Sequence, residues 1–395
     1  MRRFEFVEGG SRKFWEVDLL GAALTVRFGR MGADGQSKTT TFPSADEATA
    51  EMAKLVREKT KKGYQEIGAA SDAPVVKALR RPTAYSTGEH PTHFMNYAVV
   101  DFDPEEGGLK DIERKVYAVR TDYDAGEDGF NERIEALLAD PKVGQLKALV
   151  IGNWFGDDSS GSPTELIAKL IAAKDRLTSL IGIFLGDVIQ EENEISWITQ
   201  TSVTDLLHAF PKLEEFVVRG GNELRMSGLK HDSLRTLIVQ SGGLSTACVK
   251  DLAASRLPVL ERVALWLGTD QYGGDYSIAD LGPILRGEVW PKLEYLGLMN
   301  AEGADAIAQA LVSAPILTRI RALDLSMGAL TDAGGLALLG CQQLRSLSFL
   351  NLRRHYLSDA VMAQFKKIGI EVDVSDQESS GDEDDEEYRS CEVTE

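Results

Sequence analysis

Two histidines three residues apart, His90 and His93, have the spacing of an HxxH metal pair, and Asp101 with Asp103 makes a DxD pair of the kind that can bind cations. Neither pair is completed. No carboxylate or thiol stands at helical or hairpin spacing from the histidines to close a coordination shell. Pro104 follows Asp103 at once, so the DxD pair reads as a turn. Cys248, Cys341 and Cys391 are odd in number and far apart, which fits neither a disulfide framework nor a zinc site. The first two read as small buried apolar residues. A Walker loop, a G-x-S-x-G elbow and an HExxH helix are all missing. The chemistry left to this chain is recognition: no enzyme, no cofactor and no metal are expected.

Charge narrows what it can recognise. The chain has 395 residues and a net charge of −19, but residues 1–68 carry 12 Lys+Arg against 10 Asp+Glu, and residues 371–395 carry 1 against 12. A field of this sign repels polyanions, so any contact with nucleic acid must come from a local basic surface. No run reaches the ~18 apolar residues of a membrane span, and the first fifteen residues have no apolar core long enough for a secretory signal. A cytoplasmic protein with no membrane association is expected.

The elements that would position a binding surface are repeated. Around Leu323 the stretch IRALDLSMGALTDAGGLALL packs a strand, a turn and a helix into twenty residues. The same apolar triplet recurs eight times, centred on Leu149, Ile183, Phe216, Leu237, Val263, Leu296, Leu323 and Leu347, with helical segments between. One such unit cannot bury its leucines without a neighbouring copy. Residues 146–374 are therefore expected to form an α/β leucine-rich-repeat solenoid, a horseshoe with parallel strands inside and helices outside, with residues 94–145 as its amino-terminal cap. A final edge strand is expected over residues 370–374. The repeats resemble the ribonuclease-inhibitor type, most closely at Leu323, Asp324, Leu325, Leu330 and Gly334.

Residues alternating with the buried triplets face the concave surface. Phe184, Trp266, Tyr295 and Met299, with Arg219 and Arg262 among them, are the types that anchor protein partners. Three long insertions, residues 153–162, 187–202 and 268–277, fall on one rim and are acidic and aromatic; Trp154 and Tyr272 are their candidate contacts, and a basic or cationic partner would suit them. The alternative is that these aromatics fold the loops down while the acids stay solvated.

Residues 1–67 read as a small antiparallel sheet followed by a helix that Ser44 and Glu47 open as a capping box. The run Val26, Phe28, Gly29, Arg30, Met31, Gly32 and Gly35, with Lys38 after it and a helix ending near Tyr64, resembles the WGR domain of poly(ADP-ribose) polymerases and of bacterial proteins related to the molybdate metabolism regulator. Phe28 stands where the signature Trp is expected. The resemblance implies association with nucleic acid through Gly29 and Arg30. A glycine lets a phosphate approach the backbone and an arginine offers it a fork, with Arg12, Lys13 and Lys38 as auxiliaries and Phe28 beside them. Two readings stay open at Phe28, which shares a strand face with Leu24 and Val26 and on that ground reads as core.

Residues 68–93 lack periodicity and are rich in Ala, Pro, Ser and Thr, so they read as a linker. Residues 375–395 are acidic and nearly devoid of apolar side chains and read as a disordered tail. The expected function is a protein-interaction scaffold that binds a protein partner, with a nucleic-acid-associated regulator as the alternative.

Overall fold

The structure is a computed structural model that describes residues 2–8, 11–20, 22–30, 35–62, 64–67, 79, 81–83, 85–121, 126–156, 161–379 and 389–394. It divides into two compact units, Met1–Ala78 and Leu79–Glu395.

In the first unit, β1 (Arg2–Glu8), β2 (Ser11–Leu20), β3 (Ala23–Arg30), β4 (Gln36–Thr41) and β5 (Gln65–Ile67) form an antiparallel sheet in the order β4-β3-β2-β1-β5. Helix α1 (Ala45–Lys61) packs on it. Ser44 Oγ accepts the Glu47 amide at 3.2 Å, satisfying one of the four donors that a helix start leaves open. Phe4, Trp15, Val17 and Leu24 make the buried core, with Met52, Leu55 and Val56 of α1 against them.

In the second unit, β6 (His93–Phe94) pairs antiparallel with β7 (Tyr97–Asp101). Every later strand is parallel to the one before: β8 (Lys115–Val119), β9 (Ala148–Ile151), β10 (Gly182–Leu185), β11 (Glu215–Arg219), β12 (Thr236–Gln240), β13 (Arg262–Gly268), β14 (Tyr295–Ala301), β15 (Ala322–Asp324), β16 (Phe349–Asn351) and β17 (Glu371–Asp373). Parallel neighbours need crossovers, and helices supply most of them. They are α2 (Gly126–Ala139), α3 (Thr164–Ala172), α4 (Thr204–Ala209), α5 (Thr246–Ala253), α6 (Gly282–Leu285), α7 (Ala304–Leu311), α8 (Asp332–Gly340) and α9 (Asp359–Phe365). One apolar core runs through the whole unit. Among the described residues no helix is long and apolar enough to cross a membrane.

The triplet centres lie side by side: Leu149, Ile183, Phe216, Leu237, Val263, Leu296 and Leu323 are successive strand partners. The eighth differs. Leu323 pairs with Leu350, not Leu347, so the sequence register slips there by three residues. Both Leu344 and Leu352 are buried, and an Lxx(L)x(L) pattern fits either frame.

Two segments depart from expectation. Residues 79–93, read as linker, belong to the second unit, with Tyr85 and Phe94 in its core. The tail is not uniformly open. Residues 375–379 are exposed but tied by hydrogen bonds, Glu378 N donating to His355 O at 2.7 Å and Gln377 Nε2 to Leu357 O at 2.8 Å. Residues 389–394 are partly packed, with Cys391 buried, and residues 380–388 lie outside the described residues. The amide of Glu392 donates to Met327 O at 2.8 Å. Asn300 Nδ2 donates to Val393 O and its Oδ1 accepts the Val393 amide, and Arg354 donates to Ser390 O.

Candidate functional site

In the first unit β2 and β3 are paired so that Lys13 opposes Arg30, Trp15 opposes Phe28 and Val17 opposes Val26; Lys38 on β4 opposes Val26. With a period of two, Lys13, Phe28, Arg30 and Lys38 share the face that carries Trp15 and Val17. Helix α1 covers the Val17 end of that face and leaves the other open. Trp15 is buried, but Phe28 is 43% exposed, and Lys13, Arg30 and Lys38 are exposed. The reading of Phe28 as core is therefore corrected: it lies on the expected face, at the end the helix does not cover. Lys59, in the last turn of α1, stands 5.5 Å from the Trp15 ring centroid and 5.0 Å from that of Tyr64. Burial pushes its pKa down, and so do the cations of Lys62 and Lys13, which outweigh Glu58. Sequence reasoning missed Lys59 because only the fold returns the end of α1 to Trp15.

Gly29 has a structural task. A Cβ there would lie 2.8 Å from Gly35 Cα and 3.1 Å from Phe14 Cε1, so this glycine lets β3 and the start of β4 close over Phe14. It alternates away from the cationic face. Residues 31–34 of the hairpin, and the side chain of Arg12, lie outside the described residues.

In the second unit the face expected to anchor a partner is occupied by the chain itself. Phe184, Trp266, Tyr295 and Met299 are buried, as is Arg219. The covering segment is 81–94. Tyr85 packs against Phe184 with tilted rings, centroids 5.1 Å apart, and donates its hydroxyl to Glu215 Oε1 at 3.2 Å. Gln240 Nε2 donates to Tyr85 O at 2.8 Å. Arg219 reaches Ser86 O and Val188 O at 2.6 Å each and Gln240 Oε1 at 2.9 Å. Burial lowers the Arg219 pKa to about 10 against the pull of Asp187 and Glu192, which leaves it charged at neutral pH. At the other end Arg81 lies 3.4 Å above the Phe349 ring centroid and pairs with Glu371 at 2.7 Å. Between the Arg81 end and the sheet remains a cavity of about 220 Å³, lined by Trp266, Tyr295, Met299, Asp324 and Asn351 among others.

The rim residues are also largely folded in. Trp154 is buried, its indole donating to Gly161 O at 2.9 Å. Tyr272 is half-buried, and Arg262 is held by Thr236 at 2.9 Å and Glu261 at 3.1 Å. Asp187, expected on an acidic rim, is fully buried and receives Arg120 at 2.6 Å and His90 at 3.1 Å. Burial pushes the Asp187 carboxyl up, but His90, Arg120 and Arg219 together hold it below the usual carboxylate range. His90 thus serves an ion cluster, while His93 is exposed and bonds Thr92 at 3.2 Å. Trp197, 58% exposed, is the aromatic that this rim leaves open.

Comparison with known proteins bears on each unit. Residues 1–71 match the WGR domain family. Two Escherichia coli (strain K12) proteins, YfeS and YehF, are 38% identical over 65 residues and 39% identical over 66 residues to this chain. Those matches cover 16% and 17% of this chain and 27% and 24% of the relatives, so the chain spans about a quarter of the length of the curated proteins it matches. A crystal structure of a Bacteroides fragilis protein is similar over 100% of this chain and 99% of its own, with 29% identity and a TM-score of 0.64. An internalin from Listeria monocytogenes aligns over 66% of this chain and 71% of its own at 13% identity and a TM-score of 0.28.

Proposed function

We propose that this chain is a cytoplasmic, non-enzymatic binding protein whose WGR domain contacts nucleic acid through Lys13, Phe28, Arg30 and Lys38, with Lys59 beside them. The observation that carries the reading is Phe28: a large ring 43% exposed on a strand face bordered by cations. Arginine and lysine serve phosphates, and an exposed ring offers a base a stacking surface. Those two groups on one face suit a single strand, or an end with unpaired bases, better than a closed duplex. A first-unit charge near neutrality means that the grip is local, and it weakens with salt.

The second unit, read as a leucine-rich-repeat array of the ribonuclease-inhibitor type, is a scaffold for a protein partner in this proposal. What supports it is the apolar and aromatic character of the sheet face that residues 81–94 cover. The kinship with molybdate-regulator proteins belongs to the same reading and rests on the WGR resemblance.

The test is a titration of the full chain with short labelled single-stranded and duplex DNA and RNA at low and moderate salt. The proposal expects salt-sensitive binding that weakens in Arg30→Ala, with Phe28→Ala weakening the single strand more than the duplex. Absence of binding at low salt, or binding indifferent to both substitutions, would overturn it.

A further inference from the structure

The strip of sheet face from β14 to β17 is lined as a slot for a guanidinium. Phe349 of β16 offers its ring and Glu371 of β17 its carboxylate, and these two are strand partners. Beneath and beside them Tyr295 donates to Asp324 Oδ2 at 2.5 Å, and Asn351 donates to the same oxygen at 2.8 Å. The Asp324 carboxylate also takes the Ser326 amide and hydroxyl at 2.9 and 2.6 Å. The floor of the slot is therefore fixed across three strands before anything enters it. Its occupant in this structure is Arg81, ring below and carboxylate beside.

The two ends of the covering segment are held very differently. Tyr85 and Ser86 are bonded by Glu215, Gln240 and Arg219, all buried or nearly so. Among the described residues, Arg81 is held through its guanidinium, by the Phe349 ring and by an ion pair whose partners are 43% and 64% exposed, and Thr83 is exposed. An ion pair this exposed is weak. Under this end lies open volume where the other end has packed side chains. The Tyr85 end is built in, and the Arg81 end rests on the slot.

We infer that the β14–β17 face is an arginine-reading site for an extended segment of a partner protein, and that Arg81 is the chain's own occupant, which such a segment displaces. The partner segment carries an arginine ahead of an extended stretch, as Arg81 precedes Pro82 and Thr83. This rests on the scaffold reading of the second unit and makes it specific. A tethered segment competes at high effective concentration, so the intact chain binds the partner more weakly than a chain whose slot is empty.

The probe is a labelled peptide with the sequence of residues 79–86, titrated by fluorescence anisotropy into the full chain and into full-length Arg81→Ala and Arg81→Gln variants. Both variants change an exposed side chain, and unchanged melting curves would verify that they fold. We expect the variants to bind the peptide about tenfold or more tightly than the unsubstituted chain. Adding Glu371→Gln or Phe349→Leu to Arg81→Ala should reverse that gain, and a peptide with alanine in place of its Arg81 should lose it. If the folded variants bind the arginine and alanine peptides equally, the slot does not read arginine, though the face still accepts peptides. If neither variant binds any peptide, the inference fails and the scaffold reading loses its site, while nucleic-acid binding by the first unit is untouched.

Discussion

Trp15 and Phe28 are strand partners on one face of the first unit, yet Trp15 is 2% exposed and Phe28 43%. The difference is made by α1, whose Lys59 lies over Trp15. Position on the sheet decides which aromatic is structural and which is available. Phe28→Ala should therefore leave the melting temperature of the first unit almost unchanged, whereas Trp15→Ala should cost about 3–5 kcal/mol, the usual penalty for deleting a buried aromatic. Chemical denaturation of the two variants checks both, and a large loss from Phe28→Ala would show that its ring is core after all.

Gly29→Ala should destabilise the first unit by about 1–3 kcal/mol, because the added methyl meets the Gly35 backbone at 2.8 Å and Phe14 at 3.1 Å. Nucleic-acid affinity, measured where the variant is folded, should change little. A selective loss of affinity with full stability would restore the phosphate-approach role that the sequence suggested for this glycine.

Arg219→Met should cost about 3–5 kcal/mol in urea unfolding of the second unit. It leaves the Val188 and Ser86 carbonyls and the Gln240 side chain without their donor, and removes one of the cations around Asp187, which keeps Arg120. The same variant should raise the protease sensitivity of residues 79–90, since Arg219 is one of the fixed points of the covering segment.

His231 and His355 share one arrangement. Nδ1 of His231 accepts the Leu234 amide at 3.0 Å and its Nε2 faces Phe210 O at 3.1 Å; Nδ1 of His355 accepts the Leu357 amide at 3.0 Å and its Nε2 faces Val374 O at 3.3 Å. The neutral ring with its proton on Nε2 fits both sites. Burial, only partly offset by the carbonyls, lowers both pKa values below the ordinary 6.5. The folded state thus binds fewer protons than the unfolded one in this range. Its stability is complete above about pH 6.5 and declines as the pH falls towards the folded pKa values. Melting temperatures should drop between pH 7.5 and 5.5, and the drop should shrink in a His231→Gln/His355→Gln variant. An equal drop in both proteins would assign the pH dependence to other groups.

The strand ladder of the second unit was legible because the buried triplet repeats whatever the loop length, and leucine types at i, i+3 and i+5 leave few other folds. Leu344, Leu347 and Phe349 show where that legibility ends: an apolar-rich stretch satisfies two frames, and only pairing with Leu323 chooses Leu350. The anchors Phe184, Trp266 and Tyr295 were visible as a face but not as a covered one. What covers them, Tyr85 and Arg81, sits in a stretch without periodicity, held by side chains far off in sequence. The last residues hid for the same reason, since Asn300 and Arg354 hold them largely through their backbone. In the first unit the cations Lys13, Arg30 and Lys38 were legible with Phe28, while Lys59 needed the fold.

Nucleic-acid binding at the Phe28 face is tested by the salt dependence of single-strand binding by the full chain and by Arg30→Ala and Phe28→Ala. Log affinity should fall linearly with log salt, with a slope reduced by about 0.7 in Arg30→Ala for the lost phosphate contact and a loss of about 1–3 kcal/mol in Phe28→Ala with the slope unchanged. Slopes and affinities identical in all three proteins, or no binding at the lowest salt, would contradict it.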